Sequence, residues 1–242
     1  MGGVNGRQII TKSYPGASTT ADKVANTKKL VEQDQVFGLL NFGGMPVALA
    51  LSPYVREQKV PYLFPHTGAG QMDEQRYIFS SFPYYEDECR YMLSYLVNDR
   101  GYRKLAIVYA DNVYGYLFRD ALQAQSEALG YEVVASQVVK DMKPATLATE
   151  VAALQDTDPD AVIMALYVEQ AQKLLQQKGL AGWEDVQMVS TGSLTDANTL
   201  NVACGYGEGT IGLAFYPDAA TSMEPGVVQY RELMSQCHPG RT

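Results

Sequence analysis

The sequence predicts an open α/β fold, with mainly parallel strands and helices on both faces. Two observations carry that expectation. Apolar runs of strand length alternate with stretches whose apolar residues recur every three or four positions. Several of the runs are apolar at every position, the pattern of strands covered on both faces rather than one. Strand followed by helix, repeated, is the arrangement that right-handed crossovers turn into a parallel sheet.

The elements follow in order. Residues 8–14 (QIITKSY) read as a first strand, and Val24, Leu30 and Val31 mark the face of a first helix. Strands are expected at 36–42 (VFGLLNF), 60–65 (VPYLFP) and 77–82 (YIFSSF). A long amphipathic helix then carries Cys89, Met92, Leu93 and Leu96 on one face. A fresh series begins with the strand 104–110 (KLAIVYA) and a helix through Leu117, Ala121, Leu122 and Ala128, closed by Gly130 as a C-terminal cap. Strand 131–139, a helix through Leu147, Val151 and Leu154, and strands 161–167, 186–191 and 210–216 complete the pattern. Asp158-Pro159-Asp160 supplies turn chemistry before the strand at 161. The break after YIFSSFP is the natural place for a crossing between two lobes, since Pro83 biases the residue before it to extended backbone.

Composition narrows the function. With 242 residues and 46% hydrophobic content the chain can bury a sizeable core. Asp plus Glu outnumber Lys plus Arg 27 to 19, a net charge of −8, which repels phosphate backbones and anionic lipid heads. The paired positives Lys28-Lys29 and Arg103-Lys104 read as solvated surface, so no nucleic-acid partner is expected. Seventeen tyrosines suit small-molecule pockets and polar interfaces. The cysteines Cys89, Cys204 and Cys237 form no C-x-x-C, and one Cys204–Cys237 bridge is compatible with the count without being established by it. Two histidines, His66 and His238, are too few and too far apart for a multi-histidine metal site. No apolar run of 18 residues occurs, and MGGVNGRQII lacks the charged and apolar regions of a signal peptide.

Catalytic motifs are missing. Gly207, Gly209 and Gly212 match G-x-G-x-x-G, but the run leads into a strand instead of opening a helix, so no dinucleotide is expected. Glu86, Asp87 and Glu88 cluster at a helix start, where negative side chains complement the dipole and stay solvated. No nucleophile, base and orienting group can be assembled, and no enzyme, cofactor or metal is expected.

Taken together, GGVNGRQI, VANTKKLVEQDQVFGLLNFGG, KVPYLFPHTGAG, IFSSFPYYEDE, KLAIVYADNVYG, PDAVIMALY and GLAFYPDA resemble one family in order and spacing. It is the type I periplasmic solute-binding proteins of the branched-chain amino acid ABC transporter class. The resemblance implies two Rossmann-like lobes, incomplete here at both ends: the family's first βα unit, its C-terminal part and the signal peptide of a full-length precursor are not in this chain. Lobe one would comprise 1–82 plus 217–242 and lobe two 83–213, with crossings near 81–83 and 214–217. The implied function is extracytoplasmic capture of a small amino acid, or of an aromatic carboxylate or amide, and delivery to ABC permease subunits. The alternative on the same fold is a cytosolic ligand sensor acting on a regulatory partner, and an α/β enzyme ranks below both.

By resemblance the ligand-facing residues are Gly43, Gly44 and Met45 in one loop and His66, Thr67 and Gly68 in a second, both placed to grip a carboxylate. Tyr84 and Tyr85 would add aromatic wall, and Tyr114 and Tyr167 would line the pocket from lobe two. Gly192 and Ser193 lie in a loop where amino-acid-binding members can carry an acid for the ammonium. No acid stands in that loop, so recognition of an α-amine would need Glu169 or Asp196 to reach it.

Overall fold

The computed structural model describes residues 3–15, 19–40, 43–70, 75–195 and 205–237. The chain forms two compact units, Met1–Tyr85 and Glu86–Thr242.

In the first unit, helix α1 (Thr20–Glu32) begins at a capping box. Thr19 Oγ1 accepts from the Asp22 N–H while the Asp22 carboxylate accepts from Thr19. Strand β1 (Leu39–Leu40), helix α2 (Met45–Gln58) and strands β2 (Tyr62–Leu63) and β3 (Ile78–Phe79) follow. The three strands pair in parallel, in the order β1-β2-β3. Leu39, Tyr62 and Ile78 align across the ladder and are buried, with Val47, Leu51 and Val55 of α2 contributing to the same unit's core. The next position on each strand faces the other way, leaving Leu40 and Phe79 exposed.

The stretch 8–14, expected as a strand, is not one. Ile9 and Ile10 are exposed, and the stretch pairs with no strand among the described residues; an extended segment without a ladder is not a strand. The strands expected at 36–42, 60–65 and 77–82 are present but shorter.

The second unit carries the larger sheet. Helix α3 (Tyr85–Ser94) runs into a π-helical turn at Tyr95–Asp99. Then come β4 (Lys104–Ala110), α4 (Val113–Leu129), β5 (Glu132–Val139), α5 (Ala148–Gln155), β6 (Ala161–Ala165), α6 (Val168–Leu180), β7 (Gln187–Ser190), a 3₁₀ turn at Gly192–Leu194, β8 (Ile211–Gly212) and α7 (Pro225–Cys237). All five strands are parallel, in the order β5-β4-β6-β7-β8. Leu105–Ala110 and Ala161–Ala165 are buried throughout, as their unbroken apolar runs require. Ala106, Val108, Val162 and Met164 pack in one cluster with Leu147, Val151, Leu154, Leu174 and Leu175 from the α5 and α6 side. The strand expected over 210–216 shrinks to Ile211–Gly212, so Phe215 is not a strand residue.

The loops are set by side chains the sequence placed correctly. Gly130 closes α4, and the Asp160 carboxylate accepts from the N–H groups of Arg103 and Lys104, fixing the turn before β6 to the start of β4. Cys89 is a buried thiol whose S–H points to the Phe118 carbonyl, whereas Cys204, Asp196 and His238 lie outside the described residues. No helix among the described residues is long and apolar enough to cross a membrane.

Gly115, in the first turn of α4, marks the closest approach of helix to strand: a Cβ there would stand 2.1 Å from the Ala110 carbonyl oxygen. Backbone cannot yield as a side chain can. Gly115→Ala is therefore expected to destabilise the protein by roughly 2–3 kcal/mol. Urea denaturation measures it, and a loss below about 0.5 kcal/mol would show that α4 can slide away freely.

Candidate functional site

In a doubly wound sheet the crevice opens at the carboxyl ends of the strands, where the chain reverses its direction of travel across the sheet. That reversal falls here between β4 and β6. The residues leaving those ends are Asp111-Asn112 after β4, Leu166-Tyr167 after β6 and Thr191-Gly192-Ser193 after β7.

Asn112 caps α4: its Oδ1 accepts from the N–H groups of Tyr114 and Gly115 at 3.1 and 3.4 Å. The cap directs Tyr114 toward the β7 loop, and its hydroxyl lies 2.7 Å from Thr191 Oγ1 and 3.0 Å from Ser193 Oγ. Thr191 also contacts the Met164 carbonyl at 3.5 Å, tying the loop to β6. The Tyr114 ring is 5.6 Å from that of Tyr167 and meets Phe118 edge-on at 5.3 Å. Tyr167 leads into α6, where Gln170 is fully buried. Gln170 Oε1 accepts from the Tyr167 N–H and Nε2 donates to the Asp141 carbonyl at 2.9 Å. The structure thus joins Tyr114, Tyr167, Gly192 and Ser193 in one cluster. Exposed Val113 and Val168, each the first residue of its helix, flank Tyr114 and Tyr167 in sequence and add apolar surface at these strand ends.

Sequence reasoning missed the carboxyl beneath this cluster. Glu88 was expected among solvated helix-start acids, yet it is 1% exposed. Its Oε1 accepts from the Gly192 N–H at 2.5 Å, and Oε2 has no hydrogen-bond partner among the described residues. Glu86 stays exposed, and Asp87 pairs with Arg90, so the solvated reading holds for that part of the cluster. The missed signal is spacing: Glu88, Met92 and Leu96 repeat every four residues on the apolar face, and Cys89 adjoins it. Burial pushes the Glu88 carboxyl up to about 7, against a smaller opposing pull from the Gly192 N–H. Gly192 packs closely under the half-buried Phe215 ring: a Cβ there would stand 2.1 Å from it, so the ring would have to move to admit any side chain.

The first unit holds the other predicted residues. Gly43 and Gly44 precede α2, with Gly44 as its N-cap and Met45 buried. Thr67 is buried and its Oγ1 accepts from the Ala69 N–H at 3.2 Å, so the hydroxyl stabilises its own turn. His66 is exposed with its ring 4.7 Å from Phe82. The Tyr85 N–H donates to the Gly68 carbonyl at 2.9 Å, and the Tyr84 ring packs on Gly70. These loops leave the carboxyl ends of β1 and β2, on the same edge of their sheet. Of the two acids considered for an ammonium, Glu169 is exposed in the first turn of α6 and Asp196 lies outside the described residues.

Among the described residues no group of three or more His, Cys, Asp or Glu is arranged to hold a metal ion. A polar cavity of about 460 Å³ lined by Tyr102, Asp160, Lys178, Asp185 and Thr210 lies at the amino ends of the strands, away from the crevice.

Fold and site together define a doubly wound α/β protein with a hydroxyl and aromatic cluster at its strand ends. The model of the family described as periplasmic binding protein matches residues 1–240, and the chain belongs to that family. Solved structures agree on the fold. A substrate-binding periplasmic protein from Ralstonia solanacearum superposes with a TM-score of 0.78 at 20% identity, over 90% of this chain and 62% of that one. An ABC transporter solute-binding protein from R. palustris, in complex with 4-hydroxybenzoate, gives 0.76 at 19% identity, over 91% and 60%. A branched-chain amino acid ABC transporter protein from Thermus thermophilus with bound valine gives 0.77 at 15%, over 91% and 57%. The chain therefore spans about three-fifths of the length of these proteins. No curated protein sequence matches.

The Glu88 carboxyl has a consequence for stability. Between about pH 4.5 and 7 the folded protein keeps a proton that the unfolded chain has released, so stability falls as pH rises through that window. The fall is on the order of 3 kcal/mol. Glu88→Gln keeps the acceptor for Gly192 and removes the titration, so its stability should lack this component of the decline. Parallel denaturation midpoints for the two proteins from pH 4.5 to 7.5 would refute it.

Proposed function

We propose that this chain is the ligand-binding part of an extracytoplasmic solute receptor, which captures a small carboxylate-bearing solute between two lobes and presents it to an ABC permease. The observation that carries the reading is the Tyr114–Thr191–Ser193 hydroxyl cluster beside Tyr167, at the strand-order reversal of a chain belonging to the periplasmic binding protein family. Hydroxyls donate and accept, so they suit a polar solute head, and the adjacent rings suit an apolar or aromatic body.

The relatives' ligands, valine and 4-hydroxybenzoate, share a carboxylate and differ in the rest. The loops Gly43–Met45 and His66–Gly68 are assigned to the carboxylate end, with Tyr84 and Tyr85 beside them. In this proposal 1–82 with 217–242 forms one lobe and 83–213 the other. Closure around the solute is driven by contacts that only the closed state makes. The role needs no bond-making step: the crevice residues orient a solute and exchange it.

A thermal-shift panel of aliphatic amino acids, aromatic amino acids, aromatic carboxylates and small amides tests the reading. A hundredfold excess over Kd stabilises by about 2.7 kcal/mol, a readily measured rise in melting temperature. With the solute found, Tyr167→Ala and Tyr114→Phe are each expected to weaken binding by about tenfold, by loss of a ring face and of a shared hydroxyl. Calorimetric affinities unchanged in both variants would remove these residues from the site.

A further inference from the structure

We propose that Glu88 is a positioning residue of this site: through the Gly192 N–H its carboxyl holds the Thr191–Ser193 loop, and with it the hydroxyls that fix Tyr114. The proposal rests on the solute-binding reading and names a control on that same site. Its geometry is a chain of contacts. Glu88 Oε1 holds Gly192 N at 2.5 Å, and the residues on either side of Gly192 place their hydroxyls 2.7 and 3.0 Å from the Tyr114 hydroxyl. Gly192 has no side chain, so its backbone N–H is the group through which Glu88 holds this loop.

Glutamate is a costly choice for a purely structural anchor, because the position is buried and no Lys or Arg among the described residues pairs with it. Glutamine would offer the same Oε1 acceptor without a charge. What glutamate adds is a bond that changes strength: an ionised carboxylate accepts a charge-assisted hydrogen bond about twice as strong as a neutral one. The loop is then held more firmly when Glu88 is ionised, and any solute that needs the loop in place favours loss of the proton. Burial brings that ionisation to about pH 7. Cys89 on α3 interacts with Glu88, with Glu86 and with Tyr131 before β5, while Tyr114 on α4 meets the hydroxyls on either side of Gly192. The Cys89 thiol is pushed up to about 12 by burial and the adjacent carboxylates, and the Tyr131 phenol is pushed up by burial, so neither changes charge near neutrality.

The experiment titrates the whole chain and Glu88→Gln with two probes, 4-hydroxybenzoate and valine, by calorimetry from pH 5.5 to 8 in buffers of different ionisation enthalpy. The wild type is expected to bind 4-hydroxybenzoate about fivefold more tightly at pH 8 than at pH 5.5, with release of a proton near pH 7. Glu88→Gln should bind at the low-pH level throughout, without proton release. The comparison cancels any contribution from His66, which both proteins carry. A variant with the wild-type profile overturns the proposal, as does a flat wild-type profile. Proton release with valine alone also overturns it, since the carboxyl would then be meeting the amine itself.

A second measurement needs no solute. The Gly192 amide proton, followed by NMR, should shift with the ionisation of Glu88 together with Thr191 and Ser193, and stay still in Glu88→Gln. Absence of that shift overturns the proposal even where solutes bind. Its presence in a protein that binds neither probe supports the anchor and counts against the solute-binding reading alone.

Discussion

Burying both faces of β4 and β6 leaves the second unit only its strand ends for polar work. Every side chain from Leu105 to Ala110 and from Ala161 to Ala165 is enclosed, so none of them can meet a solute. The strand order then selects which ends matter. Because the chain runs from β4 to β5 and returns across β4 to β6, the connections after β4 and β6 leave in opposite directions and a crevice opens between them. Asn112, Tyr114 and Tyr167 occupy that opening as a consequence of topology.

Within the opening, polar groups hold one another at short range. Asn112 satisfies the first N–H groups of α4, Gln170 satisfies the backbone at the end of β5, and three hydroxyls share protons around Tyr114. Such networks are stable where every member is partnered. Ser190 Oγ at the end of β7 and Glu88 depart from that: each keeps a buried oxygen unpartnered among the described residues, and the Glu88 carboxyl titrates near neutrality. An imperfectly satisfied acid directly behind a candidate binding loop is a point where protonation and loop position are coupled by the same bond.

Much of this was legible in the residues. The unbroken apolar runs at 104–110 and 161–167 announced buried parallel strands, and Gly130 and Asp158-Pro159-Asp160 announced the turns beside them. The reading failed where a pattern needed a partner it did not have. Residues 8–14 have strand composition but pair with no strand, and the run at 210–216 keeps only Ile211 and Gly212 in the sheet because pairing with β7 ends at Ser190. Glu88 was misread for a related reason: its neighbours Glu86 and Asp87 face solvent, and three adjacent acids look alike until helical phase is applied.

By itself the sequence determined the α/β class and the alternation of strands and helices from residue 20 on, since hydrophobic periodicity and turn chemistry are local properties of the chain. Tyr114 and Tyr167, by contrast, stand out through the family resemblance. Only the tertiary structure decided that Glu88 lies under Gly192, that Tyr114 shares its hydroxyl with Thr191 and Ser193, and that Thr67 Oγ1 accepts from the N–H of its own turn. Those contacts join residues up to 104 positions apart, or choose among several partners of equal chemistry. Strand order and packing make that choice, and neither is written in any one segment.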